Sequence, residues 1–312
     1  MIPIIVIEGP TASGKSRLAL DLAQRLETEI ISADSRQIYC FMDIGTAKPT
    51  LSDQKSVKHH MIDIINPDEE FNAGAFVDRA KKIIKNLHTK DKIPLICGGT
   101  GFYIKALLEG LFDTDEIDIK ARESIIQLEK EKGAEHLYQL LSNVDPESAK
   151  QIHPNDSYRV KRALEVCIST GKSIREHWSE QDRSTQLFNP YRIMIVEERE
   201  TLYNRINKRV EQMVEEGLID EIQSLFDKGY KISDPGMNSV GYKEFFPYLK
   251  NNAPFDECQS EAQKNTRNYA KRQLTWYRKV NFQKLFNFSS YEPNLLLAEM
   301  RNYFESTQNE LL

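Results

Sequence analysis

The chain has 312 residues, a formal net charge of −5 and four scattered cysteines, and it is long enough for one elaborated domain or two smaller ones. Because no C-x-x-C pair is present, the cysteines indicate neither a disulfide framework nor a zinc site. The sequence has no apolar run of membrane-spanning length and no basic leader before its first strand, so we expect a cytoplasmic protein without membrane contact.

The first predicted element is a strand over Ile2–Ile7, followed by the phosphate-loop sequence G-x-x-x-x-G-K-S and a helix. Strand, loop and helix occur in the order that phosphate binding requires, and the motif is typical of nucleotide- and ATP-binding proteins. Backbone N–H groups of the loop and the helix N-terminus converge on phosphate oxygens, Lys15 adds a positive charge, and the Ser16 hydroxyl can bind Mg²⁺. We therefore expect Mg²⁺ as a cofactor and a phosphate site made of Gly9, Pro10, Thr11, Ala12, Ser13, Gly14, Lys15 and Ser16.

Strands and helices alternate through the first third of the chain. Further strands are predicted at 29–33 and 93–97, and helices at 71–87 and 102–111. This alternation predicts an α/β fold, a parallel sheet of the phosphate-loop NTPase type flanked by helices, with ligands at the carboxyl ends of its strands.

An all-helical pattern interrupts this alternation after a short acidic stretch. From 119 to 178 the apolar periodicity is helical only, and a strand at 191–196 then returns to the sheet. The sequence therefore predicts a helical insertion domain at 113–188 within a phosphate-loop core domain formed by 1–112 and 189–312 together with the C-terminal helices.

The predicted second strand ends in a carboxylate, Asp34, whereas the third runs into Gly98-Gly-Thr100-Gly. In phosphate-loop ATPases a second apolar strand ends in the aspartate that orders Mg²⁺ and water, and here that candidate strand ends in glycines instead. Asp34, Thr100 and the phosphate loop should meet at one edge of a parallel sheet. A carboxylate base beside a diphosphate site favours a reaction in which diphosphate leaves.

A cluster of basic residues without any acidic residue lies near the C-terminus. On a helix the six side chains fall within an arc of about 140°. A negative mean charge argues only weakly against nucleic acid, because binding depends on such local patches. A solvated charged face is the alternative, but the absence of carboxylates favours phosphate contacts. The six residues are Lys264, Arg267, Lys271, Arg272, Arg278 and Lys279.

Eight segments together carry a family resemblance that extends from the N-terminus to about residue 278. They lie at 9–16, 33–39, 42–49, 59–63, 98–103, 152–156, 162–166 and 270–276. On these segments the chain resembles the tRNA dimethylallyltransferases of the IPP transferase family, in its short bacterial type without a C-terminal zinc finger.

The resemblance implies an enzyme that transfers a dimethylallyl group from dimethylallyl diphosphate to N6 of adenosine 37, next to the anticodon of tRNA, and releases diphosphate. Asp34 matches the family's general base, and Arg209 matches an arginine that stabilises the leaving group. Thr100 matches a further contact in the catalytic site. Arg205, four residues before Arg209 on the same helix face, is expected to assist.

The resemblance also implies a tRNA-binding surface that grips the anticodon stem-loop. Family members often carry glutamine where this chain has Tyr158, whose ring could stack on a base instead. The matching residues are Asp34, Ser35, Arg36, Gln37, Thr100, Arg122, Tyr158, Arg159, Val160, Lys161, Arg162, Lys271, Arg272 and Arg278.

Two other classes of protein share the phosphate loop. A kinase of a small metabolite or nucleotide would leave the basic helix unexplained. A non-enzymatic nucleotide switch would need a base-recognition motif such as N-K-x-D, which the sequence lacks, and it would have no need of Asp34. A monomer is sufficient for the transferase reaction, and we expect a monomer.

Overall fold

The structure, a computed structural model, describes residues 1–111, 118–180 and 187–309. These residues fold as two compact units, one of Met1–Glu109 with Gln186–Leu312 and one of Gly110–Thr185. The predicted boundary at 112/113 and most of the acidic stretch after it lie outside the described residues. In the described parts of the chain, no helix is long and apolar enough to cross a membrane.

A six-stranded sheet with the order β3-β2-β4-β1-β5-β6 forms the centre of the larger unit. All of its neighbouring strands pair in parallel, which confirms the predicted α/β class. Two short strands, β3 and β6, were not predicted, because so few residues carry no readable periodicity. The strands are β1 (Ile2–Glu8), β2 (Ile30–Ser32), β3 (His59–His60), β4 (Leu95–Gly98), β5 (Phe188–Ile195) and β6 (Lys284–Phe286).

Four helices connect the strands in the first third of the chain. They are α1 (Lys15–Arg25), α2 (Leu51–Ser56), α3 (Ala73–His88) and α4 (Gly101–Glu109). The apolar stripe of α1 is buried against the sheet, and the Asn72 side chain caps α3 by accepting a hydrogen bond from the Ala75 N–H at 2.9 Å.

The smaller unit contains only helices among its described elements. They are α5 (Ile119–Val144), α6 (Pro146–Gln151), α7 (Ser157–Thr170) and α8 (Ile174–Glu180). Gly133, with φ of 85°, bends α5, and the side chains of Asp145 and Asp156 cap the next two helices. The apolar faces of α5 and α7 form the core of this unit.

The C-terminal part of the larger unit is mainly helical, and its last helix packs against β5. Its elements are α9 (Arg199–Glu215), α10 (Leu218–Asp227), α11 (Phe246–Leu249), α12 (Phe255–Tyr277) and α13 (Pro293–Asn309), with 3₁₀ turns at Lys243–Phe245 and Phe288–Ser290. The predicted long loop at 229–241 lies between α10 and the first 3₁₀ turn.

The phosphate loop follows β1, whose neighbours are β4 on one side and β5 on the other. The chain leaves β1 toward the β4 side and returns on the β5 side, so the order of strands reverses at this strand. Ligands of open parallel sheets bind outside the carboxyl ends of the strands at such a switch point.

Gly98, the last residue of β4, allows the close approach of β2 that holds the Asp34 turn. A Cβ at this position would lie 2.1 Å from the carbonyl oxygen of Ala33. We expect Gly98→Ala to lower the free energy of unfolding by about 1–3 kcal/mol, measured by urea denaturation, because backbone rather than a flexible side chain must move. The control Gly74→Ala, whose nearest neighbour is the Asn72 side chain at 3.2 Å, should be at least as stable as the wild type. Equal stability of the two variants would contradict this prediction.

Candidate active site

The phosphate loop has a left-handed backbone at Ala12 (φ 61°) and Gly14 (φ 92°), which turns its N–H groups toward one point before α1 begins. The ring of Phe288 packs against Gly14, where a Cβ would lie 2.6 Å from Phe288 Cε2. Ser13 is buried within the loop, whereas Ser16 is exposed at the first turn of α1. Only glycine combines this φ with this contact at position 14.

Gln273 of α12 connects the phosphate loop to the loop after β4. Its Oε1 accepts a hydrogen bond from the Thr11 N–H at 2.9 Å, and its Nε2 donates to the Gly99 carbonyl at 2.9 Å. Tyr277, one turn later, donates from its hydroxyl to the Gly9 carbonyl at 3.4 Å. The buried face of α12 therefore fixes the phosphate loop.

Asp34 lies at the end of β2 in a tight turn. Its Oδ1 accepts a hydrogen bond from the Arg36 N–H at 2.8 Å, which closes an Asx turn. Thr100 supports the same turn, because its Oγ1 accepts from the Ser35 N–H at 3.0 Å and its N–H donates to the Ala33 carbonyl at 3.1 Å. Thr100 thus contacts the turn that carries Asp34.

Asp34 shares one cavity with the cationic groups of the phosphate site. Thr11, Lys15, Ser16, Asp34 and Arg209 all line it. Burial lowers the pKa of Lys15 and of Arg209, and the negative charge of Asp34 raises both pKa values in part compensation. The structure therefore brings together the predicted base and the predicted anion-binding residues.

Arg209 reaches this cavity from α9, on the opposite side from α1. Its Nη1 donates to Thr11 Oγ1 at 3.4 Å. Arg205, which was expected to assist, instead forms an ion pair with Glu197 at 2.6 Å and lines neither cavity described here. Arg205 lies one turn from Arg209 but outside the cavity, so it is not in place to assist Arg209 there as expected.

Two cavities in the larger unit share five lining residues. Both are lined by Thr11, Asp34, Thr46, Arg209 and Tyr269. The first cavity has apolar lining residues, Ala19, Ile30 and Cys97, beside polar ones, Ser32, Gln37 and His59. The second cavity is lined by Arg36, Lys243 and Arg272 and therefore has a cationic rim.

Cys97 is buried in the first cavity, and burial raises the pKa of its thiol to about 12. The thiol stays protonated near neutral pH, since the positive charge of Lys15 offsets only part of that effect. Cys97 therefore contributes an apolar surface to the cavity wall rather than a nucleophile.

Of the residues predicted to bind tRNA near Asp34, Gln37 differs from expectation. Its side chain is buried, its Oε1 accepts from Ser32 Oγ at 2.9 Å, and its Nε2 donates to the Ala47 carbonyl at 3.0 Å. The Gln37 amide is therefore bonded within the protein, because the turn after Asp34 directs this side chain inward. Arg36 donates from Nη1 to the Pro235 carbonyl at 3.1 Å and lines the second cavity, while Ser35 is half-buried.

Five of the six predicted cations on and just after α12 are exposed, Lys264 and Lys279 among them, and Arg267 is half-buried. Lys271, Arg272 and Arg278 are exposed, and the Arg272 guanidinium lies 5.8 Å from the ring centre of Tyr269. Lys264, by contrast, is paired with Glu261 at 3.0 Å, and Arg267 donates to Asn207 at 2.5 Å. Trp276 packs inward, against Gly101.

In the smaller unit, α7 exposes two of its five predicted tRNA-binding residues, Tyr158 and Arg159, while Lys161 and Arg162 are half-buried. Tyr158 is 78% exposed, whereas Val160 is 1% exposed and belongs to the core, so its side chain is withdrawn from any RNA surface by the helical spacing. Cations here are paired with carboxylates, which RNA phosphates would have to displace. The pairs are Arg159–Asp156 (3.4 Å), Lys161–Glu129 (2.6 Å), Arg162–Glu165 (3.1 Å) and Arg122–Glu165 (3.7 Å).

Gln273, Glu221 and Tyr269 are not recognisable as site residues from the sequence. All three act on the site from α10 or α12, far along the chain from the loops they contact. The motif at 270–276 was the available signal for Gln273, but it was read only as part of a family pattern and a basic face.

The residues at the phosphate loop fit a Mg²⁺ ion that binds mainly through substrate phosphates. Ser16 supplies an exposed hydroxyl and Asp34 a nearby carboxylate, and magnesium sites of this kind use few protein ligands. Among the described residues no group of three or more histidine, cysteine, aspartate or glutamate side chains forms a closed metal site. Ser16 remains the predicted ligand.

Relatives with curated names align along nearly the whole chain. The tRNA dimethylallyltransferase of Acetivibrio thermocellus is 42% identical over 305 residues, which cover 97% of each chain. That of Caldanaerobacter subterraneus subsp. tengcongensis is 42% identical over 314 residues, which cover 99% of each.

Solved structures agree with these relatives. The full-length tRNA isopentenylpyrophosphate transferase of Bacillus halodurans is 36% identical, with a TM-score of 0.73 over 99% of this chain and 100% of that one. A eukaryotic dimethylallyltransferase acting on tRNA is 29% identical, with a TM-score of 0.85 over 98% of this chain and 80% of that one. A sequence model described as IPP transferase matches residues 37–280, and the resemblance seen in the motifs is thereby confirmed: the chain belongs to the IPP transferase family.

Proposed function

We propose that this protein transfers a dimethylallyl group from dimethylallyl diphosphate to N6 of adenosine 37, beside the anticodon of tRNA. The observation that carries this proposal is the shared cavity in which Asp34 lies beside Lys15 and Arg209. The names of the relatives support the same reaction.

Asp34 acts as the general base in this mechanism. The adenine N6 lone pair is delocalised into the ring, so N6 is a weak nucleophile, and its proton becomes acidic only as the new C–N bond forms. N6 attacks C1 of the dimethylallyl group, the C1–O bond breaks, and diphosphate leaves with the bonding electrons. The N6 proton passes to the Asp34 carboxylate as positive charge develops on nitrogen, a contribution of about 10²–10⁴-fold.

Cationic and N–H groups stabilise the leaving diphosphate. The loop amides, Lys15 and Arg209 face the position where negative charge grows as the C1–O bond breaks. Because Lys15 and Arg209 are shielded from bulk water, their attraction to diphosphate is stronger than at an exposed surface. When bound, Mg²⁺ on Ser16 and the phosphates would add further charge neutralisation.

The two cavities suggest that donor and acceptor approach from different sides. The first cavity has phosphate-binding groups together with the apolar lining residues Ala19, Ile30 and Cys97, which suits a prenyl diphosphate. The second has a cationic rim, which suits a nucleotide whose base has left the anticodon loop. Flipping that base costs a few kcal/mol, which contacts in the pocket must offset. The shared wall at Thr11, Asp34 and Arg209 is then where N6 meets C1.

A direct assay tests the proposal. The protein is mixed with Mg²⁺, dimethylallyl diphosphate and unmodified tRNA, the tRNA is digested, and the nucleosides are analysed by mass spectrometry. We expect N6-dimethylallyl-adenosine and one diphosphate per transfer. Hydrolysis of ATP or phosphorylation of a metabolite without prenylated tRNA would instead favour the kinase alternative, which the names of the relatives do not favour.

The exposed basic face of α12 should contact the tRNA backbone. Each phosphate contact contributes about one unit to the slope of log K against log salt. We expect the combined variant Lys271→Gln, Arg272→Gln, Arg278→Gln to reduce this slope by about three units. The control Lys264→Gln, whose lysine is paired with Glu261, should change it much less. An unchanged slope in the triple variant would assign tRNA binding to another surface.

We also propose that the protein is a cytoplasmic monomer. The proposed acceptor, tRNA, is available there, and the larger unit alone supplies the base and the phosphate site. Sedimentation at micromolar concentration tests the oligomeric state.

A further inference from the structure

The segment 42–49 forms one wall of the first cavity but has no helix or strand of its own. Thr46, Ala47 and Pro49 line that cavity together with Lys15 and Ser16. Backbone hydrogen bonds join Ala47 to Ile44 and Lys48 to Asp43 within the segment, and Gln37 donates to the Ala47 carbonyl. The N–H groups of residues 43–45 are left to a contact from another element.

Glu221 of α10 provides the main contact. Its Oε2 accepts hydrogen bonds from the N–H groups of Asp43 at 2.7 Å and Ile44 at 2.8 Å, and its Oε1 accepts from the Gly45 N–H at 3.2 Å. Three successive backbone N–H groups therefore converge on one carboxylate. Hydrogen bonds to an ionised acceptor are roughly twice as strong as neutral ones.

Tyr242 completes the contact from the opposite side. Its hydroxyl donates to Glu221 Oε1 at 2.6 Å. The ring is fully buried and packs on Gly45, where a Cβ would lie 2.3 Å from Tyr242 Cε2. Burial raises the pKa of Tyr242 well above its usual value, so the hydroxyl keeps the proton that it donates.

The far end of the segment is tied to its own neighbourhood. Lys48 Nζ forms an ion pair with Asp43 at 2.6 Å and a second pair with Asp63, and it donates to the Tyr39 carbonyl at 2.6 Å. These partners are close in sequence. Glu221 and Tyr242 instead connect the wall to the helical layer that also carries Arg209.

We propose that Glu221 is a positioning residue for the prenyl donor, which sets the distance between the wall at Thr46–Pro49 and the phosphate loop. This inference rests on the proposed function, because it takes the first cavity as the site of the prenyl diphosphate. Loosening the wall weakens donor binding and relaxes the preference for a five-carbon chain, whereas the tRNA surface on α12 is unaffected.

Steady-state kinetics of two variants test this role. We expect Glu221→Gln to raise KM for dimethylallyl diphosphate about tenfold or more, because an amide cannot accept from all three N–H groups. Tyr242→Phe, which removes one hydrogen bond, should raise KM for dimethylallyl diphosphate by a smaller factor. Both variants should use geranyl diphosphate, relative to dimethylallyl diphosphate, better than the wild type does. KM for tRNA should rise by a clearly smaller factor than KM for dimethylallyl diphosphate, because Gly45 and Thr46 also line the second cavity. The control Asp220→Asn changes an exposed carboxylate on the same helix and should leave all values unchanged.

Equal donor KM values in wild type and both variants would overturn the inference, and so would a parallel rise in the KM for tRNA. If Glu221→Gln does not fold, Tyr242→Phe alone tests the inference, by whether its KM rises more for dimethylallyl diphosphate than for tRNA. If the wild type makes no prenylated tRNA, the proposed function fails. The positioning role of Glu221 is then tested by calorimetric titration of the wild type and the two variants with dimethylallyl thiolodiphosphate. Weaker binding in the variants supports the positioning role, and equal binding overturns it.

Discussion

Asp34→Asn should lower kcat for tRNA prenylation by about 10²–10⁴-fold, because asparagine cannot accept the N6 proton. The amide oxygen can still accept the hydrogen bond from the Arg36 N–H that Asp34 Oδ1 accepts at 2.8 Å, so the turn is kept. The substitution also removes a negative charge from the phosphate cavity. Donor affinity should therefore hold or increase while kcat falls.

Single-turnover rates and donor titrations on the same preparation measure the two effects separately. Asp78→Asn, an exposed carboxylate on α3, serves as a control for the loss of one negative charge. A kcat within tenfold of the wild type, or a donor affinity that falls together with kcat, would show that Asp34 is not the base.

Arg209→Gln should lower kcat/KM for dimethylallyl diphosphate by about 10²–10³-fold, comparable to the loss of one oxyanion-stabilising donor. The guanidinium is shielded from water, lies in the cavity with Lys15, and is oriented by Thr11 Oγ1 at 3.4 Å. Arg209→Lys should recover only part of the rate, because a lysine keeps the charge but loses the planar fork.

The matched control is Arg205→Gln, one turn earlier on α9. Arg205 is paired with Glu197 at 2.6 Å, so its loss should change kcat/KM by no more than a few fold. Rapid-quench measurement of diphosphate release with saturating tRNA isolates the chemical step. Similar losses in the two variants would indicate a general effect of charge on α9.

The sequence predicted the phosphate loop and Asp34 because their chemistry is local. The left-handed turn at Gly14, the helix after it and the carboxylate at the end of β2 each follow from a few adjacent residues. The parallel sheet followed from the alternation of strands and helices, apart from β3 and β6. Arg209 could be assigned only through the family resemblance, since its own helix reads equally well as a solvated charged face.

The residues that hold the site loops in place from distant helices could not be predicted in the same way. Gln273 contacts Thr11 across 262 residues of sequence, and Glu221 contacts Asp43 across 178. No local pattern distinguishes these two polar side chains from others on amphipathic helices. Gln37 and Val160 show the converse, because both lie in segments predicted to bind RNA while their own side chains are buried. The side-chain direction depends on packing that the motif does not specify.

Helix α12 carries exposed cations on one side and, on the other, Gln273 and Tyr277, whose hydrogen bonds reach the phosphate loop. One helix therefore carries both the proposed tRNA-contacting cations and the hydrogen bonds that hold the phosphate loop, so a substitution that displaces α12 would disturb both surfaces at once.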